Sequence, residues 1–271
     1  MVINTRGGFM FCENRLQGKL ALITGATSGI GRSCAEKLAQ MGVNLIITGR
    51  RANILDEIKK ELEEKFNIKV CPLQLDARSS KDVDEKIDNL PNEWKNIDVL
   101  INNAGLALGL DKVYNNSVED IDAMIDTNVK GMLYMIRKIV PSMVARDLPA
   151  LVVNIGSVAG DAVYAGGAVY CASKAAVKSL SDGLRIDLVD TKVKVTNIKP
   201  GLVETNFSVV RFKGDEERAG NVYKGIEALT PDDIADTVVY ICNLPDNVQI
   251  PEITMTPMFQ ANGTVLHRSN N

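Results

Sequence analysis

The stretch Leu20-Ala-Leu-Ile-Thr-Gly-Ala-Thr-Ser-Gly-Ile-Gly31 opens as an apolar run and closes on three glycines. A run without polar alternation suits a strand covered on both faces, the kind found in a parallel sheet under helices. The glycines allow a tight turn and close backbone approach to a pyrophosphate, which sits on N–H groups at the start of the next helix. Their spacing is GxxxGxG, not the GxGxxG dinucleotide fingerprint. A purely structural turn between strand and helix therefore stands as the alternative.

The same pattern recurs along the chain. Residues 43–48, 70–75, 98–101, 150–155, 194–198 and 252–255 read as further buried strands. Amphipathic or charged stretches read as helices: from the glycine turn to about Met41, then 51–66, 117–146 and 170–189. Strands alternating with helices predict an α/β fold: a Rossmann-type doubly wound parallel sheet of about seven strands, with helices on both faces. No linker, repeat or low-complexity tract interrupts it. The reading is a single domain over 19–256, with 1–18 a loosely held N-terminal extension and 257–271 a C-terminal tail.

Composition narrows the function. The chain has 271 residues, 45% apolar, and a net charge of −3 from 31 basic and 34 acidic residues, which leaves no electrostatic footprint for nucleic acid. No apolar run approaches the roughly 18 residues of a membrane span. The patch Gly8-Phe-Met-Phe-Cys12 is too short for a secretory h-region. Cys12, Cys34, Cys71, Cys171 and Cys242 are scattered, odd in number and without a CxxC pair, so they read as reduced small hydrophobes. Cys171 beside Tyr170 is either a reactive thiol or a packing residue. The single histidine, His267, argues against a histidine-based triad or a histidine-rich zinc site, and no metal is expected. A cytoplasmic enzyme with a small-molecule substrate, without nucleic-acid or membrane partners, is the expectation.

An NAD site would place Asp or Glu about 20 residues past the glycines, on the ribose 2′-OH. Here Thr48-Gly-Arg-Arg51 occupies the place, and no acid follows until Asp56. Guanidinium forks match phosphate oxygens, so Arg50 and Arg51 point to the 2′-phosphate of NADP. The alternative is a solvated arginine pair opening a helix. Asp76 follows the third strand, where a carboxylate can receive an adenine amino group. Asn102-Asn-Ala-Gly105 follows the fourth, where small residues let backbone lie near a ligand. Turn chemistry is the competing account of both.

The segment Ser157-Val-Ala-Gly-Asp-Ala-Val-Tyr-Ala-Gly-Gly-Ala-Val-Tyr-Cys-Ala-Ser-Lys174 carries the chemistry. Tyr170 and Lys174, four apart, share a helix face. A phenol beside a fixed ammonium is a proton donor tuned towards neutral pH, as reversible carbonyl chemistry requires. Tyr164 is a rival phenol, but Ala168 stands where its lysine would be.

Together with Thr127-Asn-Val129, Ile155-Gly-Ser157 and Lys199-Pro-Gly201, these motifs occur in the order of the short-chain dehydrogenases/reductases, which the chain resembles over 19–256. In finer detail it looks like the NADP-dependent 3-hydroxy acid dehydrogenases, which oxidise serine and allo-threonine, through 103–109 and 201–215. The resemblance implies NADP contacts from Gly25, Thr27, Ser28, Gly29, Ile30, Gly31, Ala77, Asn103, Ala104, Gly105, Pro200, Gly201, Val203 and Thr205. Lys174 binds the nicotinamide ribose, and Tyr170 is general base on the alcohol or general acid on the ketone. Ser157 meets the substrate oxygen. Asn128, in mid-helix where asparagine has poor propensity, holds a water in the proton relay; a helix-bending or surface residue is the other reading.

The segment after Thr205, through about Tyr223, reads as a mobile substrate lid, a common use of a long loop at a site. Within it Arg211 is a candidate partner for a substrate carboxylate, against a solvated mixed-charge loop. The resemblance implies a homo-oligomer, tetramer or dimer, with a C-terminus able to reach a neighbouring subunit. The chain departs from the family pattern at Gly156, where many members carry serine, and in its tail. A carbonyl or 3-ketoacyl reductase of the same fold is the alternative function, and a non-catalytic NADP-sensing protein a more distant one. A methyltransferase shares the glycine turn but leaves Arg50, Arg51, Ser157 and Tyr170 unexplained.

Overall fold

Side chains alternate across a strand, so seven apolar strands side by side create two cores, one on each face. The computed structural model describes residues 13–269; the N-terminal patch with Cys12 lies outside the described residues. The strands are β1 (Leu20–Ile23), β2 (Asn44–Gly49), β3 (Val70–Gln74), β4 (Val99–Asn102), β5 (Ala150–Ile155), β6 (Val193–Pro200) and β7 (Glu252–Met255). They are all parallel, in the order β3-β2-β1-β4-β5-β6-β7.

Ala21 and Ile23 of β1 face one core with Leu45 and Ile47 of β2. That core is closed by α1 (Gly29–Gln40), α2 (Ala52–Lys65) and α9 (Pro231–Cys242) through Leu38, Leu55, Leu62, Ile234 and Val238. Leu20 and Leu22 face the other core, with Ile46, Leu100 and Val152. It is closed by α3 (Ser80–Asp88), α5 (Met132–Ala145) and α6 (Ala168–Asp187) through Val83, Met135, Ile139, Met143 and Leu184. Each such buried side chain contributes about 1.5–3 kcal/mol. The doubly wound sheet read from the sequence is the architecture found. Among the described residues no helix is long and apolar enough to cross a membrane.

Two expectations are corrected. The single helix over 117–146 is α4 (Val118–Ile125) and α5 joined by a π-helical turn, Asp126–Gly131. In that turn Gly131 lies against the Ala77 carbonyl, where an added Cβ would stand 3.3 Å away. Residues 13–18 are not loosely held: Leu16 is buried, Arg15 N–H donates to Asn243 Oδ1 at 2.8 Å, and Asn243 Nδ2 donates to the Glu13 carbonyl at 2.9 Å. The tail likewise folds back on the domain. Leu202 N–H donates to Gln260 Oε1 at 2.8 Å, Arg268 donates to the carbonyls of Val222 and Lys224, and Ser269 N–H donates to that of Gly225 at 2.9 Å. In both segments buried side-chain amides supply the anchor, a signal that hydrophobic periodicity does not carry.

Candidate active site

Because β4 lies beside β1 while β2 lies on the other side, the chain reverses direction across the sheet there. Ligands bind at such switch points, beyond the strand C-termini. A cleft of about 1270 Å³ opens at that edge.

At one end of the cleft the glycine turn places Gly25 at φ +67° and Gly29 at φ +54°, a left-handed backbone that favours glycine. α1 then starts after Ser28, whose side chain does not cap it, and has no acid in its first turn, whereas Ser79, Ser117 and Thr230 cap α3, α4 and α9. Uncapped donors at a helix start, opening on a cleft, fit a pyrophosphate. Thr24 Oγ1 accepts from Asn103 N–H and Ala104 N–H, both at 3.0 Å, and Asn103 Nδ2 donates to the Thr24 carbonyl at 2.9 Å. This lock between β1 and β4 is what Gly31 packs against; Gly31 itself does not line the cleft.

Thr27, Ser28, Gly29, Ile30, Arg50, Arg51, Asp76, Ala77, Asn103, Ala104 and Gly105 all line this end. Arg51 Nη2 donates to Thr27 Oγ1 at 2.6 Å, fastening the guanidinium over the turn. Sequence reasoning missed Arg78. Its Nη2 donates to Asp76 Oδ2 at 2.6 Å, and that bond, more than any other influence, holds the Asp76 carboxyl below its ordinary range. Three arginines around a mouth of backbone donors fit a dinucleotide with an extra phosphate.

At the other end β5 delivers Ser157 and α6 delivers Tyr170 and Lys174 to the same wall. Ser157 Oγ accepts from Ala159 N–H at 3.1 Å and donates to the Pro200 carbonyl at 3.4 Å, on the same wall as the Tyr170 phenol. Lys174 Nζ donates to the Ile155 carbonyl at 2.8 Å and stands 5.9 Å from the centre of the Tyr170 ring. Burial pushes Lys174 down to about 8. Burial also pushes the Tyr170 phenol up, opposite to the tuning expected from the sequence; the Arg211 charge and, less, the neighbouring Ser157 hydroxyl pull it partway back. Cys171 is buried among Ala107, Met124 and Ala159, a packing position.

Asn128 does not line the cleft. The π-helical turn holds it behind Gly105: Oδ1 accepts from Leu106 N–H at 2.8 Å, and Nδ2 donates to the Leu106 carbonyl at 2.8 Å and to Ser173 Oγ at 2.9 Å. Ser173 Oγ in turn donates to the Tyr170 carbonyl at 2.7 Å. Asn128 thus ties the loop after β4 to the helix that carries the Tyr–Lys pair. Lys199 performs a similar service below Ser157. Nearly buried on β6, it bridges Asp161 and Glu252, both at 2.5 Å, and fixes the loop between Ser157 and Tyr164.

Pro200, Gly201, Val203 and Thr205 line the cleft beyond β6, and two short helices follow, α7 (Phe207–Arg211) and α8 (Glu216–Asn221). α7 carries Arg211 inward, where Nη2 donates to the Tyr164 hydroxyl at 2.7 Å and Nε is buried without a partner. Tyr223 clips the segment, its hydroxyl donating to the Val203 carbonyl at 3.1 Å and pairing with Ser208 Oγ at 2.8 Å. Tyr164, Phe207, Gln260, Leu266 and Arg268 also line the cleft and were not read as site residues. Only Phe207 carried a local signal, since it sits four residues before Arg211 on one helical turn.

A family model described as short chain dehydrogenase matches residues 19–216. The chain is 44% identical over 256 residues to the NADP-dependent 3-hydroxy acid dehydrogenase of Schizosaccharomyces pombe, covering 94% of this chain and 98% of that protein. It is 48% identical over 252 residues to the NADP-dependent 3-hydroxy acid dehydrogenase YdfG of Salmonella typhi, covering 92% and 100%. Among solved structures, the closed form of serine dehydrogenase complexed with NADP+ superposes with a TM-score of 0.86 at 46% identity, over 92% of this chain and 100% of that one.

Proposed function

The chain belongs to the short-chain dehydrogenase family, and on that premise we propose that it is an NADP-dependent oxidoreductase acting on CH–OH groups, with a small 3-hydroxy acid such as serine or allo-threonine as its substrate. The observation that carries this reading is the convergence of Ser157, Tyr170, Lys174 and Arg211 on one cleft whose far end presents an uncapped helix and Arg50 and Arg51.

NADP, when bound, supplies the hydride acceptor for the alcohol or the hydride donor for the ketone. The turn from Gly25 through Ile30, with Gly31 packed behind it, would hold the diphosphate, Arg50 and Arg51 the 2′-phosphate, and Asp76 with Ala77 the adenine. Asn103, Ala104, Gly105, Pro200, Gly201, Val203, Thr205 and Lys174 hold the nicotinamide half. Tyr170 Oη takes the substrate hydroxyl proton in oxidation and returns it in reduction, while Ser157 Oγ donates to the substrate oxygen as its charge grows. Oδ1 of Asn128 keeps a lone pair beyond its bond from Leu106, which suits a relay water beside Lys174. Arg211 binds the substrate carboxylate, a role supported by its buried and unpartnered Nε.

The reading extends to a cytoplasmic homo-oligomer, tetramer or dimer. Scattered cysteines favour a reducing compartment, and Ile186 and Val189, 71% and 84% exposed near the end of α6, favour a covered face. Sedimentation measures the assembly. The function itself is tested by a panel of β-hydroxy acids, simple alcohols and 3-ketoacyl esters, followed by NADPH absorbance. Turnover of serine or allo-threonine above the rest is the expected result; activity confined to acyl esters would replace it with the ketoacyl reductase reading.

A further inference from the structure

The carboxylate role leaves part of the Arg211 geometry unexplained. Its guanidinium carbon lies 5.1 Å from the centre of the Tyr170 ring, closer than Lys174 Nζ at 5.9 Å, and 5.3 and 5.7 Å from the rings of Phe207 and Tyr164. The lid is fastened so as to keep it there: the Arg211 carbonyl accepts from Gly109 N–H at 2.9 Å, and Nη2 is committed to Tyr164. We propose that Arg211 is an electrostatic activator of the Tyr170 phenol, so that seating α7 and readying the proton-transfer group are one event. The proposal rests on the functional reading above, in which Tyr170 moves the proton.

A cation beside an aromatic ring favours the anionic form of a phenol, and its pull grows where water is excluded. The other groups facing Tyr170 are few. Lys174 shares its helix, and Ser157 comes from the end of β5. The Cys171 thiol opposes ionisation, and the Tyr164 hydroxyl is held by Arg211 itself. Among the described residues Asp76 is the one carboxylate lining the cleft, and it stands at the cofactor end.

The two cations are not equivalent. Burial pushes Lys174 down to about 8, whereas a guanidinium keeps its charge throughout. Above that pH Arg211 is the charge that persists beside the phenol. A substrate carboxylate paired with Arg211 cancels part of the pull, so the phenol should titrate higher with an acid bound than with an uncharged alcohol.

The test is an ultraviolet difference titration of tyrosinate in the NADP+-loaded enzyme, subtracting Tyr170→Phe to isolate Tyr170. Arg211→Gln should raise the Tyr170 midpoint by about one pH unit, a tenfold change in proton affinity, and Arg211→Lys should restore most of it. Retained NADPH fluorescence shows that each variant is folded. An unmoved midpoint in folded Arg211→Gln overturns the inference and leaves Arg211 a carboxylate ligand alone. Normal turnover by Tyr170→Phe would instead remove the functional reading on which it rests.

Discussion

At the cofactor end of the cleft, the groups proposed to meet a phosphate are backbone donors of one turn and one helix, supported by arginines of the next strand's end. At the substrate end they are side chains drawn from β5, α6, α7 and the tail, held by bonds such as Arg211 to Tyr164 and Leu202 to Gln260. The first arrangement is fixed by the sheet that makes the fold. The second exists only after distant segments have docked, so it can be altered without touching the first. Substitutions at each end should therefore separate binding of the cofactor from turnover of the substrate.

The largest separation is expected from Tyr170→Phe, which should lower kcat by about 10²–10⁴ while leaving the NADPH dissociation constant within a factor of three or so. Steady-state kinetics and fluorescence titration measure the two quantities, and a parallel loss of NADPH affinity would join the two ends that the structure keeps apart.

Lys174→Met tests what the substrate end costs the fold. Lys174 falls from its ordinary 10.5 to about 8 in the folded chain, because burial disfavours its charge. Between those values the unfolded chain binds the extra proton, so stability should be lowest below pH 8 and rise as pH climbs towards 10.5. The variant should lack that rise; at neutral pH, without cofactor, relief of the burial penalty is set against the loss of the bond to the Ile155 carbonyl, so it should be no less stable than the parent. Chemical denaturation across pH checks this, and identical pH profiles would show that Lys174 carries no burial penalty.

Replacing Arg50 and Arg51 together by alanine should reduce the preference for NADPH over NADH by at least about 100-fold, the lower end for two charge-assisted contacts at roughly 1.5–3 kcal/mol each. The ratio of kcat/KM for the two cofactors measures it, and the kcat for the hydroxy acid should change little. The smallest effect belongs to the tail. Gln260→Ala leaves the Leu202 N–H without its acceptor, a loss of about 1 kcal/mol, and should raise KM for the acid about fivefold with NADPH affinity intact. An unchanged KM would mean that the tail rests on the site without shaping it.

The same contrast governs what could be read in advance. Gly25, Gly29 and the arginines stand at fixed offsets from a buried strand, so local backbone rules were enough to place them. Arg211 was legible only as a cation in a loop, and its stacking among Tyr164, Tyr170 and Phe207 depends on long-range packing. Asn128 looked like a poor helix former; the π-helical turn that turns its amide towards Leu106 and Ser173 has no signature in hydrophobic periodicity. Arg78 escaped because an acid–base pair two residues apart is common on any surface. The docking of the tail had no signal, since its anchor, Gln260, is a single polar residue with no periodic neighbours. The phenol's direction of shift was misjudged for a related reason: the pattern of Tyr170 and Lys174 displays the nearby charge but not the depth of burial.

The turn Asp126–Gly131 also sets the phase of everything after it. One residue in an α-helix is worth about 100° of rotation. The π turn, closed by i→i+5 bonds, takes up one extra residue without that rotation. Deleting a single residue there, Val129 for instance, should let the turn relax to regular α-helix with α5 still in phase, so that Met135, Ile139 and Met143 keep their places in the core. The Asn128 amide would lose its place behind Gly105, and the tie from the loop after β4 to α6 with it. The surplus residue is thus spent on aiming one amide, and its removal should spare the fold while loosening the site.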